Sequence, residues 1–144
     1  MKICMIGTGY VGLVSGTCFA DLGNKVYCVD KDKSKINKLK SSISPIYEPG
    51  LEDLIRNNLR AKRLIFTDDL KKAIEDSQII FICVGTPTKK GSNLVDLSQV
   101  YTVTKLISKH IKNYKIIVTK STVPVTTGDQ IEKIISKRVK KIFI

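Results

Sequence analysis

The residues with the clearest chemical role form a glycine-rich segment near the amino terminus. Gly7, Gly9 and Gly12 have the spacing G-x-G-x-x-G, and they directly follow the apolar run Lys2–Ile6. In this spacing the first glycine permits a tight strand-to-helix turn, the second lets a pyrophosphate approach the backbone, and the third lets helix and strand pack closely. The helix N-terminus adds free N–H groups and a partial positive charge. The segment therefore predicts a site for the phosphates of a dinucleotide.

An acidic residue ends the second apolar run. Asp30 follows Lys25–Val29 and lies 18 residues after Gly12, close to the separation of about 20 that is typical of dinucleotide-binding units. A carboxylate at this point accepts hydrogen bonds from the ribose hydroxyls of adenosine and repels a 2′-phosphate. The predicted cofactor is therefore NAD rather than NADP.

Small and hydroxylated residues follow two later apolar runs. Val84–Thr88 comes after one of them and Thr119–Pro124 after the other. The carboxyl ends of parallel strands meet at one edge of a sheet, where open α/β sheets bind ligands. Glycine, threonine and proline are also ordinary turn residues, so it is their common position after strands that favours a role at the cofactor site.

Alternating apolar and amphipathic segments should position these residues. The predicted strands are Lys2–Ile6, Lys25–Val29, Leu64–Thr67, Ile79–Val84, Lys115–Val118 and Lys141–Ile144. The predicted helices run from the glycine turn to near Gly23, over Lys33–Lys40, Leu51–Leu59 and Leu70–Glu75, from an Asp96 cap through Ile107, and over Gly128–Lys137. This pattern predicts a single α/β domain over residues 1–144, with a doubly wound parallel sheet of strand order 3-2-1-4-5-6.

The composition is strongly basic, with a formal net charge of +12. Only four of the 25 basic residues are arginine, and the lysines are spread along the whole chain. Nucleic-acid readers usually concentrate arginine and add stacking aromatic residues, so no nucleic acid is expected as partner. The lysines should still favour anionic ligands such as nucleotides.

Other classes of site and location are disfavoured by the sequence. No apolar run approaches the roughly 18 residues of a membrane span, and no signal peptide is evident, so we expect a cytoplasmic protein without membrane contact. Cys4, Cys18, Cys28 and Cys83 lie in apolar stretches without C-x-x-C spacing, and they are predicted to be small buried residues rather than metal ligands or disulfides. His110 is predicted to be solvated at a helix end. No metal site is expected.

Four ordered motifs resemble the amino-terminal domain of the UDP-glucose/GDP-mannose dehydrogenase family, in particular its UDP-glucose 6-dehydrogenases. They are Gly7–Gly12, Pro45–Leu51, Val84–Thr88 and Lys120–Val125, and the resemblance covers nearly the whole chain. Members of this family oxidise C6 of a nucleotide sugar from alcohol to carboxylate in two hydride transfers to NAD, through a thiohemiacetal and a thioester on a cysteine. The resemblance thus implies a Rossmann fold, NAD as cofactor and a nucleotide sugar such as UDP-glucose as substrate.

The resemblance also implies roles for individual residues. The pyrophosphate would be held by Gly7, Thr8, Gly9, Tyr10, Val11 and Gly12. Asp30 and Lys35 would contact the adenosine ribose, although a lysine on an exposed helix is by itself ordinarily only solvated. The nicotinamide side would be lined by Val84, Gly85, Thr86, Pro87, Thr88, Ser121, Thr122 and Val123. Thr122 would in addition help to orient a catalytic water.

Several functional parts of the family have no counterpart in this sequence. The glutamate segment that holds water and sugar, the linking helix, the catalytic lysine and asparagine and the nucleophilic cysteine all lie beyond the point that matches residue 144. The chain is therefore expected to be a domain truncated before the linking helix and able to bind its sugar only with a carboxy-terminal domain. In a full-length enzyme it is expected to belong to a homo-oligomer. Thr126 replaces a glycine that many relatives have.

Two functional hypotheses remain open on the sequence. The chain could be the cofactor half of a nucleotide-sugar dehydrogenase, or an NAD-binding module without chemistry. Within the enzyme class, GDP-mannose and UDP-N-acetylmannosamine are alternative substrates, because the amino-terminal domain contacts mainly the cofactor.

Overall fold

A computed structural model describes residues 1–89, 91–92 and 94–138. These residues form five strands and six helices, which alternate except for two consecutive helices between the second and third strands. The strands are β1 (Lys2–Ile6), β2 (Lys25–Val29), β3 (Leu64–Thr67), β4 (Ile79–Ile82) and β5 (Ile116–Thr119). The helices are α1 (Tyr10–Asp21), α2 (Lys33–Lys40), α3 (Leu51–Arg60), α4 (Leu70–Asp76), α5 (Ser98–His110) and α6 (Thr127–Ser136). Within these residues no helix has both the length and the apolar character needed to cross a membrane.

The sheet is parallel throughout, with the order β3-β2-β1-β4-β5. Ile6, the last residue of β1, is in register with Val29 of β2 and Ile82 of β4. The three loops that follow these strands therefore begin side by side at the carboxyl edge of the sheet. This arrangement confirms the predicted doubly wound α/β fold, while the strand predicted at residues 141–144 lies outside the described part of the chain.

The sheet separates two apolar cores, one on each face. Met5 and Cys28 point into the core covered by α1, α2 and α3, whereas Cys4 and Tyr27 point into the core covered by α4, α5 and α6. Neighbouring residues of the same strand thus enter opposite cores. Because both faces are covered, the strands read as continuous apolar runs.

Several predicted boundaries differ from the structure by a few residues, and two of the differences have local reasons. The strand predicted over residues 79–84 ends at Ile82, because Cys83 and Val84 already belong to the loop at the carboxyl edge. The helix predicted to be capped by Asp96 has Leu97 at its N-cap position. Asp96 instead accepts a hydrogen bond from the N–H of Ser98 at 2.9 Å.

The cysteines are all free thiols, and one of them corrects the sequence prediction. Cys4, Cys28 and Cys83 are buried as predicted, but Cys18 is exposed. Helix α1 buries Thr17 and Ala20, and residue 18 falls outside that buried face. Among the described residues there is no group of three or more cysteine, histidine and acidic side chains that could hold a metal ion.

A buried lysine secures the opposite, amino-terminal edge of the sheet. Lys115 precedes β5 and is only 7% exposed. Its Nζ donates hydrogen bonds to the carbonyl oxygens of Glu75, at 2.8 Å, and Ser77, at 2.5 Å. Both carbonyls lie where α4 ends, so a lysine joins the end of this helix to the start of β5. The sequence offered no signal for this role, because lysines occur throughout the chain.

Candidate cofactor-binding site

The backbone of the turn between β1 and α1 packs so closely against its neighbours that two of its positions have no room for a side chain. Gly7 has φ +102°, and a Cβ there would lie 2.7 Å from the carbonyl oxygen of Cys83. A Cβ on Gly12 would lie 1.9 Å from the carbonyl oxygen of Gly7. The N–H of Gly7 also donates to the carbonyl of Val29 at 2.8 Å. These contacts hold the turn tightly against β2 and the loop after β4.

The middle glycine is different, because nothing in the described chain explains it. A Cβ on Gly9 would meet no atom within 4 Å, and its φ of −73° is available to any residue. Gly9 is the N-cap of α1, no side chain caps it, and the first turn of α1 holds no acidic residue. The N–H groups of a helix start need acceptors. The open backbone at Gly9 and the helix N-terminus therefore fit the pyrophosphate of a dinucleotide.

Asp30 lies at the end of β2 and is held by four donors. Its Oδ2 accepts from the N–H of Thr8 at 3.0 Å, from the Thr8 hydroxyl at 2.7 Å and from Lys35 Nζ at 3.0 Å. Its Oδ1 accepts from the N–H of Asp32 at 3.1 Å. Burial opposes ionisation of the carboxyl, but the bonds from Thr8, Asp32 and Lys35 outweigh it and hold the Asp30 pKa at about 2. The side chain is thus a fixed anion at neutral pH.

Lys35 reaches Asp30 because of the way α2 begins. Asp32 is the N-cap of α2 and accepts a hydrogen bond from the N–H of Lys35 at 3.0 Å. This places Lys35 in the first helical turn, next to the end of β2. The structure therefore brings together the two residues that were expected to contact the adenosine ribose.

A cleft of about 600 Å³ connects the glycine turn with Asp30. This volume is in the range of small-molecule sites, roughly 300 to 1,000 Å³. Gly7 and Gly9 line one part of it, and Asp30 and Lys35 line another. The cleft thus joins the predicted phosphate position to the predicted ribose position.

The apolar wall of the cleft includes residues that the sequence did not indicate. Leu70 at the start of α4 and Val103 and Leu106 of α5 line it. Leu106 is 37% exposed, although its helical spacing suggested the same buried face as Val100 and Ile107. An apolar wall of this kind suits the flat face of an adenine ring. In the sequence, Leu106 is a leucine at the margin of an apolar helical face. Such a residue cannot be distinguished from a core residue by its spacing alone.

The loops after β4 and β5 are hydrogen-bonded to one another. The Ser121 hydroxyl donates to the carbonyl of Val84 at 2.7 Å, and the Thr86 hydroxyl donates to the carbonyl of Thr122 at 3.0 Å. Val84 and Gly85 line the cleft. The remaining predicted residues of these loops do not line the cleft; they are Thr86, Pro87, Thr88, Ser121, Thr122 and Val123. The hydroxyls of Ser121 and Thr86 thus fix the loops to each other.

Of the six residues in the glycine segment, only Gly7 and Gly9 line the cleft directly. Thr8 is fully buried, with its side chain turned to Asp30. Tyr10 and Val11 are exposed at the start of α1. The Tyr10 hydroxyl donates to a carboxylate oxygen of Glu48, and this bond raises the Tyr10 pKa. The motif Pro45–Leu51 is thereby placed beside the glycine turn.

None of the buried thiols is prepared for nucleophilic chemistry. Burial raises the pKa of Cys83, next to the glycine turn, to about 11. Burial also raises the pKa values of Cys4 and Cys28 far above the usual range. Cys18 is exposed, but it lies about 12 Å along α1 from Tyr10 at 1.5 Å per residue. The three buried cysteines therefore remain protonated at neutral pH, and Cys18 lies away from the start of α1.

Comparison with known sequences gives a consistent family assignment. The model of the UDP-glucose/GDP-mannose dehydrogenase family, NAD binding domain, matches residues 1–143. A UDP-glucose 6-dehydrogenase of Rhizobium meliloti is 55% identical over 94% of this chain and 31% of its own length. The UDP-glucose 6-dehydrogenase TuaD of Bacillus subtilis is 55% identical over 96% of this chain and 30% of its own length. The chain therefore spans about a third of the length of these curated relatives.

Solved structures agree with this assignment. A ternary complex of GDP-mannose dehydrogenase from Pseudomonas aeruginosa superimposes with a TM-score of 0.92 at 38% identity, over 99% of this chain and 33% of the other. A UDP-glucose dehydrogenase from Pyrobaculum islandicum gives a TM-score of 0.90 at 30% identity, over 98% of this chain and 33% of the other. The predicted family, fold and cofactor NAD are thus confirmed. The chain belongs to the UDP-glucose/GDP-mannose dehydrogenase family and corresponds to its NAD-binding domain.

Proposed function

We propose that this chain binds NAD in the cleft at the carboxyl edge of its sheet and provides the cofactor-binding part of a nucleotide-sugar dehydrogenase. The observation that carries the proposal is the single cleft that joins the open backbone of Gly9 to the fixed carboxylate of Asp30. UDP-glucose is the first candidate substrate, because two relatives with 55% identity are UDP-glucose 6-dehydrogenases. When bound, NAD supplies the acceptor for a hydride from the sugar.

Each part of the cleft has a binding role in this proposal. The N-terminus of α1 and the backbone of Gly9 hold the pyrophosphate. Asp30 accepts a hydrogen bond from the adenosine ribose and excludes a 2′-phosphate by charge repulsion. The apolar wall at Leu70 and Leu106 contacts the adenine.

The loops after β4 and β5 would lie on the nicotinamide side. Val84 and Gly85 line the cleft, and their backbone can approach a ligand without a large side chain in the way. The Ser121 hydroxyl, bonded to the carbonyl of Val84, keeps this backbone in place. Thr122 is exposed, and its carbonyl accepts a hydrogen bond from Thr86, the residue that follows the cleft-lining Gly85. Its hydroxyl is proposed to orient a water. Its catalytic role rests on the resemblance of Lys120–Val125 to the family motif.

The chain by itself is proposed to bind the cofactor without oxidising a sugar. Its buried cysteines have raised pKa values, and a protonated thiol is a poor nucleophile. The covalent steps of the family therefore need a cysteine from the part of the relatives that this chain does not match. Sugar binding, and any homo-oligomer, are assigned to the complete enzyme. Four free thiols favour a reducing compartment such as the cytoplasm.

GDP-mannose is the second candidate substrate. The observation in its favour is the TM-score of 0.92 and 38% identity with a GDP-mannose dehydrogenase structure. The cleft described above contacts the cofactor, so it does not separate this sugar from UDP-glucose.

A complementation assay tests the proposed activity. The purified chain is mixed with the carboxy-terminal two-thirds of Bacillus subtilis TuaD and NAD, and reduced NAD is followed by absorbance with UDP-glucose or GDP-mannose. We expect reduction with UDP-glucose in the mixture and none with either part alone. The Gly9→Ala chain serves as the control, since it should fold without binding NAD. A mixture that binds NAD but reduces it with neither sugar would favour a binding module without chemistry.

A further inference from the structure

The side chain of Thr8 is committed entirely to Asp30. Thr8 lies between the first two glycines and is 0% exposed. Its hydroxyl donates to Asp30 Oδ2 at 2.7 Å, and its N–H donates to the same oxygen at 3.0 Å. A threonine hydroxyl has one proton to donate. Thr8 therefore contributes to the cleft through the carboxylate and not through a direct contact with a ligand.

The two carboxylate oxygens of Asp30 accept different numbers of hydrogen bonds. Oδ2 also accepts from Lys35 Nζ at 3.0 Å, so three donors converge on it. Oδ1 accepts only the N–H of Asp32, at 3.1 Å, among the bonds of the described residues. A carboxylate oxygen can accept about two hydrogen bonds. Oδ1 is consequently the oxygen with capacity left for a ribose hydroxyl.

Without the negative charge of Asp30, the lysines around it would favour binding of a phosphate. Lys31 and Lys35 line the same cleft, and Lys33 pairs with Asp68 at 3.5 Å on its exposed side. These cations attract a 2′-phosphate as readily as any other anion. Asp30 Oδ2 already pairs with Lys35 Nζ at 3.0 Å, so exclusion of NADP depends on how the carboxylate is oriented and on the oxygen it presents to the cleft.

We infer that Thr8 is a specificity-determining positioning residue, whose hydroxyl holds Asp30 in the orientation that accepts the ribose diol and repels a 2′-phosphate. The backbone N–H at residue 8 is available from nearly any amino acid. The hydroxyl is available only from threonine or serine, since tyrosine would not fit a fully buried position. The inference rests on the proposed binding of NAD in this cleft and adds the determinant of its preference over NADP.

The test compares Thr8→Val, which keeps the shape and loses the hydroxyl, with Thr8→Ser, which keeps the hydroxyl. NAD and NADP are titrated calorimetrically into each chain, and thermal unfolding confirms that each variant is folded. A hydrogen bond to a charged group is worth about 1.5–3 kcal/mol, or roughly 10- to 100-fold in affinity. We expect Thr8→Val to reduce the NAD:NADP preference by about tenfold or more, and Thr8→Ser to stay within about threefold of the unmodified chain.

A double-mutant comparison distinguishes positioning from a general effect on the fold. If Thr8 acts through Asp30, Thr8→Val should change NAD affinity much less in an Asp30→Asn chain than in the unmodified chain. An equal effect in both backgrounds, or an unchanged NAD:NADP preference in Thr8→Val, would overturn the inference. Should Thr8→Val unfold, Thr8→Ala is compared with Thr8→Ser by the same criteria. An unmodified chain that binds neither nucleotide would overturn the proposed function instead.

Discussion

The carbonyl oxygen of Gly7 occupies the space that a side chain on Gly12 would need, with only 1.9 Å between that oxygen and a Cβ at residue 12. The spacing of these two glycines is therefore a packing requirement of the turn between β1 and α1. Gly9, between them, has no such neighbour within 4 Å. The same motif thus contains glycines that the fold needs and one that only a ligand would explain.

Alanine substitutions separate these two kinds of glycine. Gly12→Ala should lower the free energy of unfolding by about 3 kcal/mol or more, because backbone must move to relieve the overlap. Gly9→Ala should lower the free energy of unfolding by only about 1 kcal/mol, the cost of alanine at an N-cap. It should nevertheless lose most of its affinity for NAD, because the methyl group occupies the approach of the pyrophosphate. Urea unfolding and calorimetry measure the two effects. A Gly9→Ala chain that binds NAD normally would remove the pyrophosphate from this position.

Asp30 should determine the choice of nucleotide. Asp30→Asn keeps the shape of the side chain and removes the negative charge, so it should weaken NAD binding by roughly tenfold and improve NADP binding relative to NAD. Asp53→Asn is the matched control, because Asp53 lies on the exposed surface of α3 in an ion pair with Arg56. Titration of both nucleotides provides the measurement. Equal changes in the two variants would show that charge anywhere on the chain suffices.

The pH dependence of stability reports the environment of Asp30. Its pKa in the folded chain is about 2, below the roughly 3.9 of an unfolded aspartate. A lowered pKa stabilises the fold above the unfolded pKa, and that stabilisation is lost as pH falls from about 4 toward 2. The difference in unfolding free energy between the unmodified and Asp30→Asn chains should therefore be constant above about pH 5 and shrink below pH 4. A difference independent of pH would contradict a lowered pKa.

Lys115 should matter for stability and not for binding. In Lys115→Met the two carbonyls of Glu75 and Ser77 lose their donor in a buried place, which should cost about 2 kcal/mol of unfolding free energy. Lys112→Met is the control, because Lys112 is exposed and makes a surface ion pair with Glu75, worth about 0–1 kcal/mol. Chemical unfolding compares the two variants. Equal losses would indicate that the charge of Lys115 matters only at long range.

Much of this fold was predictable because its strands are covered on both faces. The run Ile79–Val84, for example, predicts a buried strand, since it is apolar throughout, ends at Gly85 and is too short for a buried helix. The strand observed there is Ile79–Ile82. Gly7, Gly12 and Asp30 were predictable for a related reason, because their positions relative to the strands follow from the geometry of one strand-helix-strand unit.

The features that escaped prediction depend on contacts between distant segments. The bond from Thr8 to Asp30 requires the level register of β1 and β2. The exposure of Leu106 depends on how α5 lies over the carboxyl edge, and that of Cys18 on how α1 is rotated against the sheet. Periodicity marks an apolar face, but it does not distinguish the buried centre of that face from a margin that lines a cleft.

A calorimetric titration of the 144-residue chain with NAD and then NADP, at low and at moderate salt, tests whether the cleft is a cofactor site. We predict saturable binding of NAD that persists as salt rises, with NADP bound much more weakly, because backbone groups and Asp30 recognise the cofactor. Binding of neither nucleotide, or equal binding of both that disappears with salt, would contradict it. The latter result would mean that the lysines attract anions without a cofactor site.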